Sequence, residues 1–191
     1  MQAFAALLLA LALAACTNSV GLKYAPGSGI AKFDAPIAPV AVGVFDDQRG
    51  EPANWLGAIR GGYGNPLKNL ESDQPVASLV QAAFVAGLQA RGVAVEPASA
   101  ALQISGTVRQ LDCNQYARQE ANVEIDVAVT DKASGKRSFN RTYQASKLDG
   151  FTLATGVFAS VEDLRVLTEK TLREAVDKAL DDPALRAALQ Q

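Results

Sequence analysis

The sequence predicts an α+β fold, a mixed sheet of four or five strands with two main helices on one face, carried behind an apolar leader and a flexible tether. Three observations predict it. Ala121, Val123, Ile125, Val127 and Val129 alternate with Asn122, Glu124, Asp126, Ala128 and Thr130, the period of a half-buried strand. Val76, Leu79, Val80, Ala83, Phe84 and Gly87 recur at helical spacing between Pro75, a helix-opening residue, and Arg91-Gly92, a stop. Val161, Leu164, Thr168, Thr171, Leu172, Ala175 and Ala179 form a second stripe behind Ser160, which serves as an N-cap.

The leader is an apolar run ending in Leu13-Ala14-Ala15-Cys16. It is shorter than the ~20 apolar residues a transmembrane helix needs and fits the core of a signal peptide. A cysteine flanked by small residues at this point has the form of a bacterial lipoprotein cleavage site. The expectation is diacylglycerol on the Cys16 thiol, cleavage before it and acylation of the new amine, anchoring the chain to a lipid bilayer. Met1-Gln2-Ala3 lacks the usual basic residues, and an unlipidated secreted protein is the plain alternative. Thr17, rather than Asp, follows the cysteine, which by resemblance to enterobacterial lipoproteins implies the outer membrane, with the domain facing the periplasm. The division expected is a signal peptide over 1–15, acylated Cys16 and a Gly-, Ala- and Pro-rich tether over 16–39, and one periplasmic domain over 40–191.

Within the domain, Val40 to Phe45 is apolar at every position and is expected to be a central strand covered on both faces. Asp46-Asp47-Gln48-Arg49-Gly50 ends it as a polar turn, with an ion pair between Asp46 and Arg49. Val93-Ala94-Val95 begins a strand, Leu102 to Val108 is another, and a last runs from Lys136 to Lys147. Asp182-Pro183 interrupts the long second helix.

Composition narrows the function. The chain has 191 residues, net charge −2 and no histidine. No basic excess exists to hold phosphates, so no nucleic-acid partner is expected. Without histidine the Ser-His and Cys-His nucleophile pairs are absent, and so is the commonest zinc ligand. Asp46, Asp47 and Glu51 lack the ligand series of a calcium loop, and no metal or cofactor is expected. Cys113 is left without an intrachain partner once Cys16 is acylated; it is either a buried small hydrophobe or a thiol for intermolecular pairing.

Glu51 to Gln74 shows no period and holds Gly57, Gly61, Gly62 and Gly64 with Trp55 and Tyr63. It is neither a Walker loop nor a dinucleotide fingerprint. It is open to two readings, a hairpin or Ω-loop whose glycines supply positive φ, or a recognition loop anchored by Trp55 and Tyr63. The strand from Lys136 carries Ser138, Asn140, Thr142 and Gln144 on one side, so Asn140 joins Trp55 and Tyr63 as a candidate partner contact.

Val42 to Arg49, Gly57 with Gly61-Gly62, Phe84 to Gly92, Ala121 to Val129, and Tyr143 resemble the YajG-type family of uncharacterised bacterial lipoproteins. The resemblance brings no activity and no catalytic residue. The function expected is a non-enzymatic module that binds an envelope protein or assists envelope assembly. The alternative is an auxiliary lipoprotein holding a small-molecule, lipid or glycan ligand for a transporter, which requires a concave apolar pocket between the glycine loop and the helix at Pro75.

Overall fold

The computed structural model describes residues 17–27, 29–33, 37–149 and 160–190; the leader and Cys16 lie outside them. Seven strands form one mixed sheet: β1 Thr17–Val20, β2 Val40–Asp47, β3 Trp55–Arg60, β4 Pro66–Ser72, β5 Leu102–Gln115, β6 Gln119–Asp131 and β7 Arg137–Leu148. Three helices complete it: α1 Val76–Ala90, α2 Val161–Leu180 and α3 Pro183–Ala188. The fold is α+β with a mixed sheet, as expected, but with more strands than the four or five the patterning shows.

The long β5–β6–β7 meander is the frame. β5 pairs antiparallel with β6 from Leu102↔Asp131 to Gln115↔Gln119, and β6 with β7 from Glu120↔Leu148 to Thr130↔Arg137. The other edge of β5 is shared by two strands in succession. β2 runs parallel beside its first half, from Val40↔Leu102 to Asp47↔Val108, and β3 reaches its far end at Ile59↔Gln115. β4 returns antiparallel to β3, and β1 adds parallel to β4 with Thr17 opposite Asn69.

The helices cover one sheet face. α1 packs on β2 and α2 on β6 and β7, and they touch each other. The core is one cluster, with Phe45 of β2 stacked on Phe84 of α1 at 5.0 Å between ring centroids. Leu88 and Leu167 complete the helical stripes, and Cys113 is fully buried among them. Ser160 accepts from the Glu162 N–H as the α2 N-cap, and Asp182 caps α3 after the break.

Four expectations need correction, the first being the strand count: Glu51 to Gln74, left open between a hairpin and a recognition loop, takes the hairpin reading and adds β3 and β4 to the sheet. It shows no alternation because Leu56, Gly57, Ala58 and Ile59 are all buried, while β4 begins at a proline. β2 is not doubly covered: its ladder slips between Val42 and Phe45, and the bulge leaves Val44 76% exposed. Val93 to Val95 forms a single bridge, Val95 to Val40, rather than a strand. The fourth concerns the segment read as a tether. Thr17–Val20 is a sheet strand, Leu22 is buried, and Tyr24 hydroxyl donates to Asp177 Oδ1 at 2.6 Å. The Lys23 N–H reaches Glu169, and Phe33 lies under the Arg186 guanidinium at 4.8 Å. The described part of this segment is a strap across the helices.

Candidate functional site

The sheet face away from the helices is open and polar. β6 alternates buried and half-exposed residues along Gln119–Asp131, so Asn122, Glu124 and Asp126 all point to it. Cross-strand hydrogen bonds tie them to β7: Ser146 hydroxyl donates to Asn122, Gln144 amide to Glu124 and Thr142 hydroxyl to Asp126, each at 2.7 Å. On the β5 side, Arg109 Nε donates to Asp126 at 2.8 Å, and its Nη1 donates to Gln48 at 2.6 Å. Among the described residues, no buried side-chain nitrogen or oxygen lacks a partner.

At the junction of β2 and β3 stands Arg49, whose side chain is only 3% exposed. It forks onto Asp47 through Nε and Nη2, both at 2.8 Å. Its remaining N–H groups cap backbone carbonyls of Trp55 at 2.6 Å, Leu111 at 3.2 Å, and Pro52 and Ala53 at 3.3 Å. A planar guanidinium with five donors suits this task, and lysine does not. The hydrogen bond from Arg49 holds the Asp47 carboxyl below its usual range despite some burial. Sequence reasoning saw an ion pair here but placed it on Asp46, which accepts from Gln48 instead.

Two connected grooves mark the open face. One, of about 420 Å³, is lined by Arg49, Glu51, Trp55, Arg60, Arg109 and Glu124. The other, of about 850 Å³, lies at the β5–β6 turn among Tyr116, Arg118, Glu120, Asn122 and Leu148. Asp112 and Asn114 belong to both. Burial raises the Asp112 carboxyl above its usual range, against hydrogen bonds from Gln110 and Asn114 that lower it. Both grooves are open to solvent and neither adjoins α1. At the place where a ligand pocket was expected, Val76 N–H donates to Ala53 O and Leu56, Leu70 and Val76 are buried in the core.

The three sequence-predicted contacts are placed apart. Trp55 is half-buried and lines the smaller groove. Tyr63 is fully exposed at the β3–β4 tip. Asn140 is exposed on β7 opposite Ala128, toward the other end of the sheet. Cys16 lies outside the described residues. Cys113 has no accessible surface, and burial pushes its thiol up to about 12, which removes the intermolecular-disulfide reading.

The described residues hold no group of three or more acidic or cysteine side chains suited to a metal, and no helix long and apolar enough to cross a membrane. The residues that sequence reasoning missed are Arg91, Tyr24 and Asp182. Arg91 is buried and donates to Asp181 and Asp177, each at 3.0 Å, and to Gly87 O at 3.1 Å. Asp182 receives Tyr143 hydroxyl at 2.6 Å and Arg141. Tyr143 and Arg91 gave a signal inside the family-like stretches and Asp182 gave one as a helix break, but none pointed to these contacts, and Tyr24 gave no signal.

No curated protein matches the chain. Among solved structures, protein XCC0632 from Xanthomonas campestris is similar over 90% of this chain and 96% of its own, with 10% identity and a TM-score of 0.63. An uncharacterised protein is similar over 80% of this chain and 99% of its own, with 11% identity and a TM-score of 0.50. The PelC dodecamer from Paraburkholderia phytofirmans is similar over 86% of this chain and 95% of its own, with 14% identity and a TM-score of 0.46. For the first two, at these identities, the likeness is one of fold. The model of a family described as uncharacterised lipoprotein matches residues 39–190, every element from β2 to α3, and the chain belongs to that family, the YajG lipoproteins.

Proposed function

We propose that this lipoprotein is a non-enzymatic docking module, anchored through acylated Cys16 to the periplasmic side of the outer membrane, that presents its open sheet face to an envelope protein. The observation that carries this is the face itself. It is a broad run of hydrogen-bonded Asn122, Glu124, Asp126, Thr142, Gln144 and Ser146, already cross-braced and therefore ordered before a partner arrives. Its half-buried aromatic, Trp55, sits in a polar groove with three arginines, Arg49, Arg60 and Arg109, a composition suited to a protein interface. Asn140 extends the surface along β7.

A photoreactive residue replacing Trp55, and another replacing Asn140, test this in intact cells. One recurrent envelope protein crosslinked from these positions is the expected outcome. No protein adduct at either position removes the docking surface. The ligand-carrier alternative keeps one observation in its favour, the size of the Tyr116–Leu148 groove, which is within the range of small-molecule sites. A periplasmic glycan or lipid retained by the purified protein, and lost on Asn122→Leu, would favour the alternative.

A further inference from the structure

The register of the sheet carries one row of residues straight across its breadth. Thr17 of β1 lies opposite Asn69, and Asn69 opposite Ala58. One residue on, Ile59 meets Gln115, and Gln115 meets Gln119. Glu120, next in line, pairs with Leu148. The first residue of β1, the β3–β4 turn, the β5–β6 turn and the end of β7 therefore share one end of the molecule. Five large apolar or aromatic side chains are exposed among the described residues, and four of them are at this end: Tyr63 at 103%, Leu67 at 41%, Tyr116 at 58% and Leu148 at 56%. Cys16 is one peptide from Thr17, so its Cα is held within about 3.8 Å of the Thr17 Cα.

We infer that this end of the sheet is the membrane-contacting surface of the lipoprotein, with Tyr63, Leu67, Tyr116 and Leu148 resting in the interfacial layer of the bilayer that takes the Cys16 acyl chains. The inference rests on the acylation of Cys16. A strand that begins at the residue after the anchor leaves no slack for the domain to stand away. Tyrosine, with an apolar ring and a polar tip, is the side chain that settles at such a boundary. Arg60 lies over the Tyr116 ring at 5.6 Å and donates to Gly64 O, which fixes the two tips relative to each other. The charges at this end are mixed, with Arg60, Lys68 and Arg118 beside Glu120 and Asp149, so contact is made by insertion rather than by attraction to anionic lipid. The polar face stands roughly along the bilayer normal and stays free for a partner.

The test uses the full acylated protein in vesicles of phosphatidylethanolamine and phosphatidylglycerol, with no other protein present. Acylation blocks the Cys16 sulfur and burial shields Cys113, so an introduced cysteine takes a polarity-sensitive fluorophore alone. Tyr63→Cys and Tyr116→Cys report this end, and Ala133→Cys, in the exposed β6–β7 turn, reports the opposite one. Quenching by shallow spin-labelled lipid at least three-fold stronger at 63 and 116 than at 133, and unchanged when phosphatidylglycerol is removed, is expected. Equal quenching at all three positions in protein that floats with the vesicles overturns the inference and leaves the anchor standing. Shielding of 63 and 116 in cells but not in vesicles means that a protein covers this end, and also overturns it. Protein that neither floats nor carries the acyl mass on its N-terminal peptide removes the anchor and the inference together.

Discussion

Arg49 and Arg91 do different work with the same chemistry. Both are desolvated cations whose donors are directed at carboxylates and backbone carbonyls, and for Arg91 also at the Tyr24 hydroxyl, which is what makes burial of a charge tolerable. Arg49 closes the turn that lets the chain leave β2 and resume beside β5 as β3. Truncating it takes a donor from four carbonyls, of which Pro52 and Ala53 keep a backbone N–H, and leaves Asp47 without its ion pair, so Arg49→Ala is expected to destabilise by about 3–5 kcal/mol, and Arg49→Lys to recover only a minor part because a single ammonium cannot span these acceptors. Urea unfolding at neutral pH measures both. The Asp-Asp-x-Arg pattern announced a turn, but which aspartate pairs depends on a bulge at Val44 that no local pattern encodes. Cys113 offers a second check at this scale. Its thiol is expected not to react with a water-soluble disulfide reagent in the folded mature chain, and to react at once in denaturant.

At the scale of elements, two glycines in the same hairpin region have opposite standing. A Cβ at Gly57, where φ is +149°, would lie 1.8 Å from the Cys113 carbonyl oxygen, so β3 closes on β5 only because no side chain intervenes. A Cβ at Gly62 meets nothing within 4 Å. Gly57→Ala is expected to cost more than about 3 kcal/mol or to prevent folding, and Gly62→Ala to change stability by less than about 0.5 kcal/mol, as read from thermal unfolding. The elements with clean alternation or a full helical stripe, β6, β7, α1 and α2, were legible in the sequence because their own burial writes the period. β1, β3 and β4 were not. β3 is buried on nearly all positions, β4 is mostly polar, and β1 is four residues whose only reason to be a strand is the edge of β4. The candidate contacts Trp55 and Tyr63 were picked out as aromatics in a glycine-rich stretch. That one belongs to a groove and the other to a tip follows from the hairpin, which the glycines offered as one of two readings without giving its register.

Across the whole molecule, the strap makes the start of the described chain continuous with the core. The described residues of this segment, 17–27 and 29–33, lie from the sheet edge to the C-terminal parts of α1 and α2 and to α3, fastened by Leu22, by Tyr24 on Asp177 and Arg91, and by Phe33 on Arg91 and Arg186. It also caps one sheet edge with a very short strand, while Arg137, Arg141 and Lys147 put charge along β7 at the other, two devices that discourage pairing with further chains. Burial, reinforced by Asp177, pushes the Tyr24 hydroxyl up to about 12. A phenol whose pKa is higher folded than unfolded contributes stability that is complete below its unfolded value of about 10 and is lost as pH rises through the folded one. Tyr24→Phe is therefore expected to lower stability at neutral pH by about 1.5–3 kcal/mol for a hydrogen bond to a charged partner, read as a lower urea midpoint, and to flatten the fall in stability between pH 9 and about 12.

The acid side has the opposite sign. Asp47 and Asp181 are held below the usual carboxylate range, Asp47 by hydrogen bonds from Arg49 that outweigh burial, and Asp181 by Arg91 and Arg186 acting against a larger individual effect of burial. Their contribution is present above the unfolded value near ~3.9 and disappears as pH falls through their folded values. The decisive measurement for the strap is Leu22→Ala. Leu22 is 4% exposed in a segment whose composition reads as linker. If that segment hung free, truncation there would leave the unfolding transition where it was. Packed as it is, the change is expected to cost about 2–5 kcal/mol, moving the urea midpoint while the slope of the transition holds. A shifted midpoint means that the folded unit takes in the chain from Leu22 onward, well ahead of the first core strand that the sequence displays, β2.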